Sequence, residues 1–295
     1  MKPPPLDYRR AGTVEEAVAL LAEHGDDARL IAGGQSLMPL LAMRLAAPEL
    51  LVDIDRIDGL DSVAESDGRV TLGPLIRHCR MVGDPAIARA APLFARAGPL
   101  VAHPGIRNRG TLGGALALGD PAAEFPACAL AAGAVMHLAS SGGRRSVPAE
   151  AFFHGPMETA IAPEEMLVAV ELPAPRPEDR FAVREVARRH GDYALAGVAA
   201  RARVAGGRLS DLRLAFFGVA DRPVPAPAAA AILVAAPGDP EALRAAGEAL
   251  AEEIDFAGGA QASAALRRHL ARVVLARAVA DLLDAGPGEA AGRAA

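Results

Sequence analysis

The spacing of apolar and polar residues predicts short strands and helices in alternation at the start of the chain. Thr13 and Glu16 match a capping box, which indicates the start of an amphipathic helix that ends at Gly25. The apolar runs that follow predict two strands, at 28–32 and 50–54, with a helix at 37–45 between them. These segments predict a small β-α-β unit over residues 1–55.

Residues 56–175 are predicted to form a second unit of hairpins and helices. Asp67-Gly68 between two alternating runs indicates a tight β-hairpin, and Gly142-Gly143 indicates another turn. The strands are predicted at 63–66, 69–72, 135–139 and 166–172, and the helices at 76–82, 85–97 and 122–132. The run Pro-Ala-Pro-Arg-Pro at 173–177 is a stiff link, and it marks the predicted domain boundary.

A third unit is predicted over residues 176–288, with strands first and helices last. The strands are predicted at 181–188, 195–204 and 212–219, with a turn at 206–207, and the helices at 240–254 and 263–285. The last helix carries an apolar stripe, more typical of a core than of an interface, at Leu266, Leu270, Val274, Ala278 and Leu282. Residues 289–295 are expected to be a mobile tail. These patterns predict an α+β fold.

Composition and charge exclude some classes of function. The chain has 295 residues, enough for two or three domains, and its net charge of −5 with scattered arginines gives no basic patch for nucleic acid. The first residues have no apolar segment of the kind that directs secretion. The apolar run at 125–143 is interrupted by Pro126, Gly133 and His137. We therefore expect no transmembrane segment and a cytoplasmic protein.

Two glycine turns carry the candidate chemistry. One is Arg-Leu-Ile-Ala-Gly-Gly-Gln-Ser-Leu at 29–37, where a short strand ends before a helix, and the other is Gly-Thr-Leu-Gly-Gly-Ala at 110–115. Consecutive glycines leave backbone N–H groups free and let an anion approach closely, so each turn favours a phosphate or pyrophosphate, although each is also explained as a tight turn. The sequence lacks Gly-x-Gly-x-x-Gly and P-loop motifs, which disfavours a Rossmann or P-loop site.

The cysteines and histidines give no metal pattern. Cys79 and Cys128 are the only cysteines, and no histidine lies near either at the spacing of metal ligands. We therefore assign no metal, iron–sulfur or disulfide role to this chain. A redox function would require a bound organic cofactor.

Three blocks of sequence resemble one family in the same order. Ala-Gly-Gly-Gln-Ser-Leu-Met-Pro-Leu at 32–40 resembles the first flavin loop of the FAD-binding (medium) subunits of molybdenum hydroxylases, the carbon monoxide dehydrogenase and xanthine dehydrogenase group. Arg-Asn-Arg-Gly-Thr-Leu-Gly-Gly at 107–114 is similar to the second loop, and Asp-Pro-Ala-Ala-Glu follows at 120–124. Arg-Arg-His-Gly-Asp-Tyr-Ala at 188–194 is similar to a third block. The resemblance runs from about residue 8 to about residue 283.

The resemblance implies a fold, a cofactor and partners. The fold would be similar to the vanillyl-alcohol-oxidase (PCMH-type) FAD fold in two subdomains, 1–55 and 56–175, followed by a C-terminal domain of a small antiparallel sheet with helices at 176–288. The implied function is electron transfer from the [2Fe-2S] clusters of a small partner subunit through FAD to an external acceptor. The molybdenum cofactor would lie on a large partner subunit, and the assembly would be a dimer of heterotrimers.

The same resemblance implies a set of cofactor-binding residues and no catalytic or metal-binding residue. The implied residues are Leu30, Ile31, Ala32, Gly33, Gly34, Gln35, Ser36, Leu37, Val101, Thr111, Leu112, Gly113, Gly114, Ala115, Glu124, Leu167, Arg184 and Tyr193.

Some of these residues have an assigned role and a simpler alternative. Glu124 would accept hydrogen bonds from cofactor hydroxyls, or it is only an acidic residue in the first turn of a helix. Arg184 would stabilise a reduced flavin ring and Tyr193 would cover one face of it, or both are structural. Val101 and Leu167 would meet the flavin or adenine, or they belong to the core.

The chain departs from the family pattern at Ala115 and at Leu118-Gly119, where polar residues are common. These changes remove polar contacts that the cofactor would otherwise make. They are the main support for an alternative function, a flavin-free binding or scaffold module of the same fold. A stand-alone flavin oxidase is a second alternative, which is disfavoured because no paired acid–base constellation for substrate chemistry stands out. The sequence does not select the substrate of the complex among carbon monoxide, purines, aldehydes and N-heterocycles. It also does not select the electron acceptor among NAD, quinones and oxygen.

Overall fold

A computed structural model describes residues 3–206 and 208–284. The chain begins with β1 (Asp7–Arg10), α1 (Val14–His24), β2 (Ala28–Ile31), α2 (Leu37–Met43) and β3 (Leu50–Asp53). The three strands form a parallel sheet in the order β1-β3-β2. The predicted capping of α1 is confirmed, because the Thr13 side chain accepts a hydrogen bond from the Glu16 N–H. Apolar residues of α1, β2 and β3 pack together as the core of this unit.

The next unit is built around an antiparallel sheet in the order β4-β5-β10-β6-β7. Its elements are β4 (Val63–Ser66), β5 (Arg69–Leu72), α3 (His78–Gly83), α4 (Pro85–Ala90), α5 (Pro92–Ala97), α6 (Pro104–Arg107), α7 (Leu112–Leu118), α8 (Glu124–Ala132), β6 (Val135–Ser140), β7 (Gly143–Pro148), β8 (Phe153–Gly155), β9 (Glu158–Thr159) and β10 (Met166–Pro173). Both predicted turns connect paired strands, β4 with β5 and β6 with β7. Helix α8 is buried along its whole length, which places its first residue, Glu124, inside the protein.

The last unit is a four-stranded antiparallel sheet followed by helices. Its elements are β11 (Asp179–Val186), β12 (Ala196–Ala205), β13 (Arg208–Phe217), β14 (Val224–Pro225), α9 (Pro227–Ala235), α10 (Pro240–Glu253) and α11 (Ala264–Asp284). One sheet face, with Ala199 and Phe217, packs into the same core as α8, and the other face, with Val198 and Phe216, packs on α9 to α11. Because both faces are buried, this sheet is joined to the preceding unit and carries residues 188–194 towards it.

The α+β class is confirmed, and several element predictions need correction. The predicted helix at 85–97 is two helices, since Ala91 has φ −136° and ψ 63° directly before Pro92, where the proline ring disfavours helical backbone. Strands β1 and β7 were missed because their side chains are largely exposed and show no apolar alternation. Along α11 the predicted stripe is buried only from Val274 onwards, whereas Leu266 is 41% exposed.

None of the helices in the described ranges is long and apolar enough to cross a membrane. The expected mobile tail at 289–295 lies outside the described residues.

Candidate functional site

A cavity of about 890 Å³ lies where the three units meet. Its walls come from β2 and the first glycine turn at residues 28–37, from residues 101–103, and from residues 110–124 around α7 and the start of α8. The β9–β10 segment and residues 191–193 of the last unit complete them. This volume is within the range of pockets that hold small molecules and cofactors. Two glycine turns that are far apart in sequence therefore line one cavity.

The first glycine turn offers a row of unused hydrogen-bond donors. The backbone N–H groups of Gly33, Gly34, Gln35 and Ser36 donate to no protein acceptor within residues 3–206 and 208–284. The Ser36 hydroxyl makes no capping bond to α2, and Gly34 has a positive φ of 71° that suits glycine. Four consecutive donors beside a cavity form an anion-binding concavity of the kind that holds phosphate oxygens.

The second glycine turn uses its donors within the protein. The Leu112 N–H donates to Ile76 O (2.9 Å) and the Gly113 N–H to Pro74 O (2.7 Å). The hydroxyl of Thr111, the N-cap of α7, accepts from the Gly114 N–H (3.1 Å). Together with the Ala115 N–H, which donates to Thr111 O, these bonds satisfy residues 112–115. The expectation of free N–H groups in this turn is therefore wrong for those residues, because the turn pairs with residues 74–76.

The glycines at 113 and 114 lie where a Cβ would come too close to other atoms of the protein. Gly114 is exposed and lines the cavity, and a Cβ there would lie 2.9 Å from the Thr111 hydroxyl. A Cβ at Gly113 would overlap the ring of Pro74. Gly119 ends α7 with φ 65°, so the Leu118-Gly119 departure from the family pattern gives the helix a left-handed C-cap.

A carboxyl group lies deep in the cavity wall. Glu124 is 7% exposed and lines the cavity at the start of α8. Burial, with a contribution from the Asp120 carboxylate, raises the pKa of Glu124 to about 7. Its carboxyl group can therefore accept a hydrogen bond, or donate one when protonated, at neutral pH. Tyr193 also lines the cavity and is 59% exposed, which leaves its ring open to a ligand.

The structure brings most, but not all, of the predicted residues together. Of the predicted set, the cavity is lined by Leu30, Ile31, Ala32, Gly33, Gly34, Gln35, Ser36, Leu37, Val101, Thr111, Gly113, Gly114, Ala115, Glu124, Leu167 and Tyr193. Leu112 is fully buried in the core and is not part of the lining. Arg184 is also outside the lining, and its guanidinium forms a bidentate pair with Asp281 of α11 at 2.6 and 2.7 Å.

Several lining residues were missed by the sequence analysis. They include His78 at the start of α3, His103 and Ile106 near α6, and the segment Met157–Thr159. His78 reaches the cavity because its own N–H pairs with Gly110 O across the second turn (2.9 Å). The sequence gives no signal for this pairing, since the two residues belong to different elements and match no local motif.

Comparisons with known proteins agree over nearly the whole chain. Residues 4–175 match a family described as the FAD binding domain in molybdopterin dehydrogenase, and residues 181–282 match the CO dehydrogenase flavoprotein C-terminal domain. The nicotine 6-hydroxylase medium subunit of Paenarthrobacter nicotinovorans is 38% identical over 281 residues, covering 95% of this chain and 98% of that protein.

Solved structures give the same result. A chain of the carbon monoxide dehydrogenase from Hydrogenophaga pseudoflava aligns with a TM-score of 0.92 and 36% identity, over 96% of this chain and 98% of that one. A chain of the quinoline 2-oxidoreductase from Pseudomonas putida 86 aligns with a TM-score of 0.90 and 38% identity, over 96% and 98%.

Proposed function

The chain belongs to the family of FAD-binding subunits of molybdopterin dehydrogenases, and from this we propose that it is the electron-transfer flavoprotein of a molybdenum hydroxylase. It is an oxidoreductase component whose cofactor is FAD. Bound FAD supplies a redox group between the [2Fe-2S] clusters of a partner subunit and an external acceptor. The observation that carries the proposal is the row of four unused N–H donors, Gly33 to Ser36, in the wall of a cofactor-sized cavity.

The residues of the cavity fit this cofactor. The first turn offers donors for an anionic pyrophosphate, and Gly114 of the second turn is exposed and lines the cavity without a side chain. Glu124 offers an oxygen for cofactor hydroxyls. Since the first turn keeps all its backbone donors, the loss of polar side chains at Ala115 and Leu118 leaves this cradle intact.

We propose a separate role in cofactor binding for each group of predicted residues. Residues 30–37 hold the pyrophosphate, Thr111 and residues 113–115 close around it, and Glu124 orients the sugar or ribityl part. Tyr193 covers one face of the flavin ring, with Val101 and Leu167 at its apolar edges. Leu112 supports the second turn from the core, and Arg184 acts indirectly by fixing β11 to α11 through Asp281.

The chain is one component of a multi-subunit complex. Its relatives are named medium subunits or medium chains of such enzymes, so a molybdenum-containing large subunit and an iron–sulfur small subunit are its expected partners. We propose a dimer of heterotrimers in the cytoplasm, with subdomains 1–55 and 56–175 around FAD and a C-terminal domain at 176–288. Relatives of this chain are named for nicotine, caffeine and carbon monoxide. Since similar subunits occur in enzymes that are named for different substrates, we assign the choice of substrate to the large subunit.

Two measurements test the proposal. The full chain, purified and mixed with FAD, should bind about one FAD per chain, and acid should release it. A chain that takes up no FAD would support the flavin-free scaffold alternative. The chain should then be co-expressed with the subunits encoded beside it, and the complex mixed anaerobically with nicotine, quinoline, carbon monoxide and xanthine in turn. One of these probes should bleach the flavin in the complex and not in the isolated chain. Equal bleaching of the isolated chain would support a stand-alone oxidase instead.

A further inference from the structure

His78 is a buried imidazole beside the cavity that the proposed electron transfer does not use. It is 7% exposed and is the first residue of α3. Its ring stands edge-on to Phe125 with the ring centres 4.9 Å apart. On another side a Cβ at Gly110 would lie 2.8 Å from His78 Nδ1, so the absence of a side chain there makes room for the ring.

The polar atoms of this ring are unsatisfied. Neither Nδ1 nor Nε2 has a hydrogen-bond partner within residues 3–206 and 208–284, and both atoms are shielded from solvent. Burial, helped by the charges of Arg77 and Arg107, lowers the pKa of His78 to about 4, while the nearby Thr111 backbone acts in the opposite direction. At neutral pH the ring is therefore uncharged, with one N–H to donate and one nitrogen to accept. A buried N–H donor without an acceptor lowers the stability of the fold, and an apolar side chain at this position would avoid that cost. A histidine here is explained if its ring N–H donates a hydrogen bond in another conformation of the protein.

Thr111 offers the ring a backbone acceptor. Its backbone lies close enough to affect the pKa of His78, yet the geometry falls short of a hydrogen bond. Thr111 already organises the second turn, because its hydroxyl accepts from the Gly114 N–H and its carbonyl from the Ala115 N–H. A carbonyl oxygen has two lone pairs and can accept a second bond. The two segments are already paired beside the ring, because the His78 N–H donates to Gly110 O (2.9 Å) and Arg77 pairs with Thr111 in an isolated antiparallel bridge.

We propose that His78 is a positioning residue of the cofactor site, whose ring N–H holds the Thr111 carbonyl, and through it the second glycine turn, in the FAD-bound form. The inference rests on the proposed binding of FAD. With that bond made, the buried donor of His78 is paired and the second turn keeps its position at the cofactor.

Titration of the full-length apoprotein with FAD, followed by flavin fluorescence, tests the proposal with three variants. His78→Leu keeps an apolar side chain but no donor, and it should bind FAD three- to tenfold more weakly, which is ~0.7–1.4 kcal/mol. His78→Asn and His78→Gln place an amide N–H near Nδ1 and Nε2 respectively, and one of them should recover most of the affinity. Unfolding of the apoprotein in urea should show His78→Leu to be at least as stable as the wild type.

The matched control is Met81→Ala. Met81 is 1% exposed, lies one turn along α3 from His78 and does not line the cavity. The control should lower the unfolding midpoint without changing the affinity of the folded protein for FAD. It separates damage to α3 from loss of the hydrogen bond.

A direct signature comes from the imidazole itself. In protein labelled with ¹⁵N-histidine, addition of FAD should shift the ring N–H of His78 and protect it from exchange. The proposal is overturned if this resonance does not respond, if His78→Leu binds FAD like the wild type, or if it is too unstable to fold. Equally weak binding by the Leu, Asn and Gln variants would also overturn it. A wild-type chain that binds no FAD would overturn both this inference and the proposed function, whereas normal wild-type binding with unaffected variants would overturn only the role of His78.

Discussion

Gly33 lies against the backbone carbonyl of Arg109, so closely that a Cβ on Gly33 would overlap that oxygen. Gly33 belongs to the first glycine turn, and Arg109 directly precedes the second, far away in sequence. Gly33 is therefore required where the turns meet, whether or not a cofactor is present. The shape of the cavity depends on this contact, because it fixes the distance between its two glycine walls.

The first prediction concerns this contact. Gly33→Ala should force the turns apart, lower the free energy of unfolding by about 1–3 kcal/mol and abolish retention of FAD. Gly83→Ala is the control, since nothing lies within 4 Å of a Cβ at Gly83. Thermal unfolding and visible flavin absorbance of both variants provide the measurement. If Gly33→Ala keeps its flavin, the two turns do not set the cofactor site.

The second prediction uses the unequal roles of two hydroxyl groups. Ser36 makes no capping bond, whereas Thr111 caps α7 through the Gly114 N–H. Ser36→Ala should therefore leave apoprotein stability unchanged and weaken FAD binding severalfold, whereas Thr111→Val should cost about 1 kcal/mol of stability. Urea unfolding and FAD titration of both variants will distinguish these effects. A large loss of stability in Ser36→Ala would contradict the assignment.

The first turn could be predicted from sequence because its information is local. A short strand, two glycines and a helix in succession determine the conformation of residues 28–37, and the resemblance to a flavin loop identified its use. The second turn has the same local appearance, yet its N–H groups bond to residues 74 and 76. That difference depends on pairing between distant segments, which the spacing of residues does not encode.

Side-chain roles divide in the same way. Glu124 was correctly placed at the start of a helix, but its burial depends on the C-terminal sheet that covers α8. Arg184 was expected near the cofactor, but its partner is Asp281, 97 residues later. An ion pair between a strand and the last helix could be recognised only once the two were packed together.

The third prediction concerns a buried ion pair inside the C-terminal sheet, whose arginine also bonds to the preceding unit. Asp179 is 6% and Arg201 is 9% exposed, their side chains are 3.3 Å apart, and Arg201 also contacts the Ala132 carbonyl at the end of α8. Asp179→Leu should lower the free energy of unfolding by about 3–5 kcal/mol, because it leaves the Arg201 charge buried without its partner. The double variant Asp179→Leu with Arg201→Met should recover most of this loss. Equal stability of the single and double variants in urea would show that the loss does not come from the unpaired Arg201 charge.

The last prediction is a pH dependence that arises from Glu185. Burial, and then the nearby Glu124 carboxylate, raise the pKa of Glu185 to about 8, and its Oε2 has no hydrogen-bond partner in the described part of the chain. An unfolded chain ionises this group near pH 4.5, so the folded form binds the extra proton between pH 4.5 and 8. Stability is therefore present below pH 4.5 and is lost as the pH rises towards 8, at about 1.4 kcal/mol per pKa unit.

Glu185→Gln removes this loss, since the neutral amide does not ionise. At pH 8 the variant should be more stable than the wild type by up to a few kcal/mol, and at pH 5 the two should differ by less than about 1 kcal/mol. Glu178→Gln, at an exposed position just before β11, serves as the control and should follow the wild type at both values. Urea unfolding at pH 5 and pH 8 gives the comparison. If Glu185→Gln stabilises the protein equally at both pH values, the carboxyl group is poorly packed, but its pKa does not change on folding.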